Sequence, residues 1–366
     1  MHKVRYSYLP EQFAEVDEIF DELRRLVQSG DFTLGAPVAE FEERFAGLIG
    51  TRHAIGVGSG TDALKLPLKA LDIGTGDEVI TAANTFIATV GAIAETGARP
   101  VLIDCDDGFC MNVDHLERAI TDKTRAIMPV HLTGNAVNMD SVMTVAEKHG
   151  LAVVEDACQG ILAEWRGQRA GTLGAAAGFS LHPLKNLNVW GDGGVIVTND
   201  DGLAEKLRLI RNHGLVNRDD VAILGCNSRL DSVHAVVGNW LIGQTHDITE
   251  KRIANARYFD DAFAGMDGIQ IPPRDPGVKH VYHLYMVFAD DRDALYDFCV
   301  ERGIEAKIHY PVPLYQQEGL KPLGYENGDF PVTDRHAASV ISFPVDQHIT
   351  REQQDLVIEV VREFYG

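Results

Sequence analysis

The sequence is short of cysteine and of positive charge. Five cysteines (Cys105, Cys110, Cys158, Cys226 and Cys299) are scattered over 366 residues, with no C-x-x-C pair. An odd, sparse set argues against a disulfide framework and for buried thiols in a reducing compartment. Lys and Arg number 33 against 54 Asp and Glu, a formal net charge of −21. A chain this acidic lacks the basic face that non-specific nucleic-acid binding or an anionic membrane requires. No run of about 18 apolar residues occurs, so no membrane-spanning helix is expected. Met1–Tyr6 has no apolar core of a secretory leader, so the cytoplasm is the expected location. The histidines lack H-x-x-x-H and H-x-E spacing, which argues against zinc, and no metal is expected. Internal repeats and low-complexity tracts are absent.

What is present is an ordinary globular composition, 45% hydrophobic and 24% charged. At roughly 150 residues per domain this length suggests two domains. Apolar positions from Phe13 to Leu26 recur with helical spacing, predicting one helix over residues 11–29 that Gly30 stops. A second helix is expected over Val38–Leu48, ending near Gly50. From residue 53 short apolar runs alternate with helical stretches. Strands are expected at Ala54–Val57, Glu78–Thr81, Pro100–Ile103, Ala126–Val130, Ala152–Glu155, Gly178–Leu181 and Gly194–Thr198. Helices are expected at Thr61–Leu71, Phe86–Glu95, Val113–Ile120, Met139–His149 and Leu203–Asn212. This alternation implies an α/β fold, with a large domain built on a mostly parallel seven-stranded sheet between helices. After residue 244 the pattern changes to a helix (Ile248–Phe263), a strand (Val281–Phe288), a helix (Asp293–Arg302), a strand (Glu305–Tyr310) and a last helix (Glu352–Phe364). The reading is a large domain over 1–244 and a smaller α+β domain over 245–366.

Four features fall at the ends of expected strands. Gly56-Val57-Gly58-Ser59-Gly60-Thr61-Asp62 runs from strand into helix. It reads as a plain tight turn, as a degenerate dinucleotide fingerprint, or as a phosphate cradle at a helix N-terminus. Asp156 follows an apolar strand, with Gln159 close behind; it is either a helix cap or a carboxylate facing a cleft. Lys185 sits between apolar residues, before the Gly191-Asp192-Gly193-Gly194 turn. It is either a lysine at a strand end with its amine in water, or a buried amine tuned to form a Schiff base. Phe86, at a helix start, belongs to the core or stacks on a flat ligand. Asp104-Cys105-Asp106-Asp107 lacks calcium-loop spacing and reads as a solvated strand-end turn. A phosphate anchor, a carboxylate, an amine and an aromatic face together match the needs of pyridoxal phosphate.

Several runs also resemble the DegT/StrS-type sugar aminotransferases: Ser59-Gly60-Thr61-Asp62-Ala63-Leu64, Glu155-Asp156-Ala157-Cys158-Gln159 and Ser180-Leu181-His182-Pro183-Leu184-Lys185-Asn186-Leu187. So do Gly191-Asp192-Gly193-Gly194, Arg211-Asn212-His213-Gly214 and Asn227-Ser228-Arg229-Leu230-Asp231. The resemblance covers nearly the whole chain. It implies the aspartate-aminotransferase type of fold (type I), pyridoxal 5′-phosphate as cofactor, and transfer of an amino group from L-glutamate to a ketosugar, usually nucleotide-linked. It further implies a homodimer with shared active sites. By the resemblance, Lys185 is the lysine that bonds the cofactor aldehyde, Asp156 pairs with the pyridinium nitrogen, and Gln159 bonds the ring hydroxyl. Gly60, Thr61 and Ser180 hold the phosphate, Phe86 stacks on the ring, and Asn227 reaches the phosphate of the neighbouring subunit. Arg229, His309 and Tyr310 are expected to touch substrate. The sugar-dehydrating branch of the family replaces the lysine with histidine, so Lys185 places this chain outside it. Sugar dehydration on the same cofactor and a regulator that binds the cofactor without turnover are the runner-up readings, and an NAD oxidoreductase using the Gly56–Gly60 turn is the alternative in a different class.

Overall fold

The computed structural model describes residues 3–366. Seven strands form the central sheet in the order His53–Val57, Gly194–Thr198, Ala176–Ser180, Ala152–Asp156, Thr124–Met128, Glu78–Ala82 and Arg99–Ile103. Six of the seven share one direction. Gly194–Thr198 runs antiparallel between its two neighbours, in register Val57 with Gly194 and Ser180 with Gly194. Its amino end therefore lies beside the carboxyl ends of Val57 and Ser180. Every expected strand of the sheet forms within two residues of its expected bounds, because a sheet covered on both faces needs near-continuous apolar runs.

The helices start and stop for local reasons. Asn138 caps Met139–His149 by accepting from Ser141 N at 3.1 Å. Asp200 does the same for Asp201–Ile210, accepting from Leu203 N at 2.8 Å. Gly30 and Gly50 end the two N-terminal helices with positive φ of 73° and 90°, a region that costs other residues strain.

Several elements differ from expectation. The helix over 11–29 is two helices, Leu9–Gln12 and Asp17–Ser29. Tertiary contacts override the helical period there. Gln12 Nε2 donates to Asn188 Oδ1 at 3.1 Å, and the Phe13 ring meets Trp190 edge-on at 5.5 Å. Ser232–Ile242 is a helix that periodicity did not mark, since it is apolar nearly all round and largely buried. Glu305–Tyr310 makes one isolated bridge, Lys307 with Ser342, next to the bridge of Val4 with Ile304. Pro311, just beyond it, has no N–H for a ladder. The Asp104–Asp107 turn is solvated only in its second half, where Asp106 and Asp107 are exposed. Asp104 is buried and accepts from Val332 N and Thr333 N at 3.0 and 2.9 Å, capping the helix Pro331–Ser339.

A second apolar core lies around an antiparallel sheet of Ile269–Gln270, Tyr285–Ala289 and Val340–Phe343. It gathers Phe259, Phe263, Leu295 and Val361, and Val4 from the start of the chain. We propose the division into 1–244 and 245–366 on these two cores, with the first residues crossing to the second. Among the described residues no helix is long and apolar enough to cross a membrane, and no group of three or more His, Cys, Asp or Glu could hold a metal ion.

One buried charge ties the sheet to the loop behind it. Glu155 accepts from Gly171 N, Leu173 N and Gly174 N at 2.8, 2.9 and 2.7 Å, and from His131 Nε2 at 3.0 Å. His131 Nδ1 accepts from Val137 N, which fixes the tautomer. Burial pushes the Glu155 pKa up, but His131 and the N–H groups outweigh it and hold the carboxyl below its ordinary 4.5. A depressed carboxylate contributes stability above its unfolded pKa and loses it as pH falls through the folded value. Glu155→Gln should therefore cost about 3 kcal/mol near neutrality and flatten the fall in stability below about pH 4.5. Urea midpoints measured across that range would show it; equal acid sensitivity in both proteins would refute it.

Candidate active site

Carboxyl ends of the parallel strands and the amino end of the antiparallel one open into a cavity of about 370 Å³. Ligands in open α/β sheets bind at this edge. Gly60, Thr61, Phe86, Asp156, Gln159, Ser180, Lys185, His309 and Tyr310 all line it.

Ser59 caps the helix Gly60–Ala70, its hydroxyl accepting from Asp62 N at 3.1 Å. The Gly60 and Thr61 N–H groups have no intrahelical acceptor and face an anion's natural position at a helix N-terminus. Gly60 must be glycine for space: a Cβ there would lie 2.7 Å from Ser180 Cβ.

Asp156 is 5% exposed, and no helix follows it, which removes the capping role. Its Oδ2 accepts from Thr89 Oγ1 at 2.7 Å and its Oδ1 from Cys158 N at 3.1 Å. Thr85 Oγ1 lies 2.8 Å from Thr89 Oγ1, so the two hydroxyls relay to the carboxylate. These donors fix the carboxylate's orientation while it stays at the cavity wall.

Lys185 is half-buried, and among the described residues its Nζ makes no hydrogen bond or ion pair. Its carbonyl is held from behind by Tyr8 OH at 3.2 Å and Asn188 Nδ2 at 2.8 Å. Burial draws its pKa below the ordinary lysine value, and the charges of Cys158 and Asp156 oppose that shift. The result is an amine with a larger neutral, nucleophilic fraction than a surface lysine has.

Gln159 Oε1 accepts from Thr133 N at 2.7 Å, and Gln159 and Tyr310 line the same cavity. Burial pushes the Tyr310 phenol up to about 12, so it is a hydrogen-bonding group and stays uncharged. His309 Nδ1 lies 2.8 Å from Ser342 Oγ; burial and the charges of Lys185 and Lys307 lower its pKa to about 4. Phe86 is 53% exposed and belongs to no core cluster, its ring 6.2 Å from that of Tyr310. A flat face is therefore available to a ligand.

Asn227 and Arg229 do not line this cavity. Asn227 is exposed, and Arg229 Nη1 donates to Asn212 Oδ1 at 3.0 Å. The cavity also has walls the sequence did not single out: Thr85, Thr89, Cys158, His182, Asp192 and His283. Thr89 is the signal that was available, a polar residue within the otherwise apolar helix Ile87–Ala94. His283 Nδ1 is buried without a partner, and burial with Lys185 nearby keeps that ring neutral.

This donor set fits pyridoxal phosphate: an anion cradle closed to any side chain, an unpartnered amine, a held carboxylate and an exposed aromatic face. Comparison with known proteins agrees. The model of the DegT/DnrJ/EryC1/StrS aminotransferase family matches residues 14–362. The chain is 41% identical to a pleiotropic regulatory protein of Geobacillus stearothermophilus, over 98% of this chain and 97% of that one. It is 38% identical to a dTDP-3-amino-3,4,6-trideoxy-alpha-D-glucose transaminase of Streptomyces venezuelae, over 96% and 95% of the two chains. Its fold superposes with a TM-score of 0.97 on the crystal structure of S. venezuelae DesV in complex with a ketimine intermediate, at 38% identity over 100% and 99% of the chains.

The environment of Lys185 has a measurable consequence. In the cofactor-free protein its amine should titrate below the surface lysines, as read from the pH dependence of competitive labelling with an amine-reactive reagent. Asp156→Asn removes a charge that favours the ammonium, so it should move that titration further down. No movement, or labelling of Lys185 in step with surface lysines, would contradict this electrostatic picture.

Proposed function

This chain belongs to the DegT/DnrJ/EryC1/StrS aminotransferase family and depends on pyridoxal 5′-phosphate; from that premise we propose that it moves an amino group from L-glutamate to a nucleotide-linked ketosugar. The observation that carries the proposal is the unpartnered Lys185 amine facing the same cavity as the Asp156 carboxylate and the Gly60 cradle. The named transaminase relative makes a 3-amino sugar, which supports C3 as the aminated carbon. The test is a panel of nucleotide-linked 3- and 4-ketosugars with glutamate, read by mass spectrometry. Binding of cofactor without amination of any member would favour the second reading, a regulator without turnover, which the regulatory name of one relative keeps in view.

In this reading each residue has a physical task. The bound cofactor supplies a carbonyl carbon that accepts the amino group and a pyridinium ring that withdraws electrons from the reacting carbon. Gly60, Thr61 and Ser180 bind its phosphate. Phe86 orients its ring. Asp156 keeps a negative charge opposite the ring nitrogen, so that the nitrogen stays protonated. Lys185 Nζ would take up and return the proton exchanged at the substrate carbon, a task for which a neutral amine is needed. Gln159 bonds the ring hydroxyl, and His309 and Tyr310 receive the sugar with neutral donors.

A second copy of the chain completes the site in this proposal, and the protein works in the cytoplasm. Asn227 and Arg229 lie outside their own chain's cavity. The segment beside them exposes Val216, Val221 and Leu224, the last 97% accessible, which supports burial against a partner.

Asp156→Asn should slow formation of 2-oxoglutarate from glutamate by about a hundredfold, equivalent to roughly 2.7 kcal/mol. Thr89→Val, which removes only the donor that orients the carboxylate, should cost about tenfold. Rapid-mixing kinetics on the glutamate half-reaction would measure both, and near-wild-type rates would show that the carboxylate is structural. Mixing the inactive variants Lys185→Ala and Asn227→Ala tests the shared site. Mixed dimers then hold one site with both lesions and one with neither, and activity should return toward half of wild type. Arg229→Ala replaces Asn227→Ala if the latter retains activity. Subunit exchange seen by native mass spectrometry with no recovery would mean that each site is built from one chain.

A further inference from the structure

His53–Val57 is an edge strand: among the described residues it pairs with Gly194–Thr198 on one side and with no strand on the other. Unpaired edge groups need partners, and here side chains supply them. Gly56 N donates to Glu42 Oε1 at 2.7 Å, and Arg211 Nη1 donates to Gly56 O at 2.7 Å. Glu42 and Arg211 pair with each other, with side chains 14% and 8% exposed. Two residues on, Gly58 N donates to Ser228 Oγ at 3.1 Å. Gly58 is the last position before the cradle at Ser59–Thr61.

Ser228 is 3% exposed, and its own N–H donates to the Arg211 carbonyl at 2.9 Å. Its hydroxyl has two partners. Having accepted from Gly58, it donates to Asp62 Oδ2 at 2.8 Å. Asp62 lies in the first turn of the cradle helix, its backbone N held by Ser59 and its other oxygen 2.6 Å from Lys65 Nζ. One buried hydroxyl thus clamps both sides of the turn, the strand end at Gly58 and the helix start at Asp62. Ser228 does not line the cavity. We infer that Ser228 is a positioning residue for the anion cradle: it holds the Gly60 and Thr61 N–H groups in the geometry that receives the cofactor's phosphate. This rests on the reading of that turn as the phosphate site.

The test separates phosphate affinity from affinity for the rest of the cofactor. The cofactor-free whole chain is titrated with pyridoxal 5′-phosphate and with pyridoxal, which lacks the phosphate, and binding is followed by absorbance. Inorganic phosphate serves as competitor. Ser228→Ala should weaken pyridoxal 5′-phosphate and inorganic phosphate about tenfold, the loss of one hydrogen-bonded clamp, and leave pyridoxal unchanged. Ser228→Thr, which keeps the hydroxyl, should restore the phosphate preference. Ser228→Cys, similar in size but a weak hydrogen-bonder, should reproduce the defect if the alanine variant does not fold. Unchanged phosphate affinity in the folded variants, or equal losses for both ligands, would overturn the inference. If the wild-type chain itself binds pyridoxal as tightly as pyridoxal 5′-phosphate, the reading of the turn fails, and the inference with it.

Discussion

Two stretches of backbone lie in van der Waals contact at the mouth of the cavity, and the site is built on that approach. The turn at Ser59–Gly60 meets Ser180 on one side and Gly194 on the other. A Cβ on Gly60 would press on Ser180, and one on Gly194 would collide with the Ser59 carbonyl oxygen. The anion cradle and the segment that carries Lys185 are therefore set against each other by main chain, which has fewer rotational degrees of freedom than any pair of side chains. The antiparallel insertion of Gly194–Thr198 makes this possible, because it brings an amino end to the edge where the neighbouring strands terminate.

Around this fixed point the electrostatics are local and run against the protein as a whole. A chain with a net charge of −21 must bring anionic ligands to one edge of its sheet. It does so with helix-end N–H groups and one amine, while burial keeps His283, His309 and Tyr310 uncharged. Neutral donors in a cavity bind sugar hydroxyls and carboxylates without a strong pH dependence of their own. Asp156 and Lys185 are held from behind, by Thr89 and Cys158 N in one case and by Tyr8 and Asn188 in the other.

Much of this was readable from the residues, and the exceptions have physical causes. The central strands were legible because burial on both faces leaves an unbroken apolar run. Asp156 and Lys185 stood out as charges among apolar neighbours near the ends of such runs, and Gly60 as part of a glycine turn between strand and helix. The helix at Ser232–Ile242 was not, since a segment buried nearly all round has no amphipathic period. The break after Gln12 was not, because it is imposed by side chains more than 170 residues away, at Asn188 and Gln347. Asp104 looked solvated by its neighbours Asp106 and Asp107, and only the distant helix start at Val332 and Thr333 explains its burial. Thr89 stood out only as the polar residue of an apolar helix, and nothing in the sequence around His283 says that it faces the cavity.

The pairing of Val4 with Ile304 sets an order of events during synthesis. Lys3 N and Val4 N donate to the Gly303 carbonyl, Glu305 N donates back to Val4, and Gln12 receives from Gln347. The ribosome makes residues 3–12 ahead of these partners, which emerge some 300 residues later, at Gly303, Glu305 and Gln347. The sheet and its lysine loop can assemble before then, and Tyr8 can already reach the Lys185 carbonyl, but the segment that carries it is anchored at both ends only when Gly303 and Gln347 have left the exit tunnel. A translation product that stops short of them keeps the cradle and the lysine but leaves the segment that braces the lysine without two of its anchors.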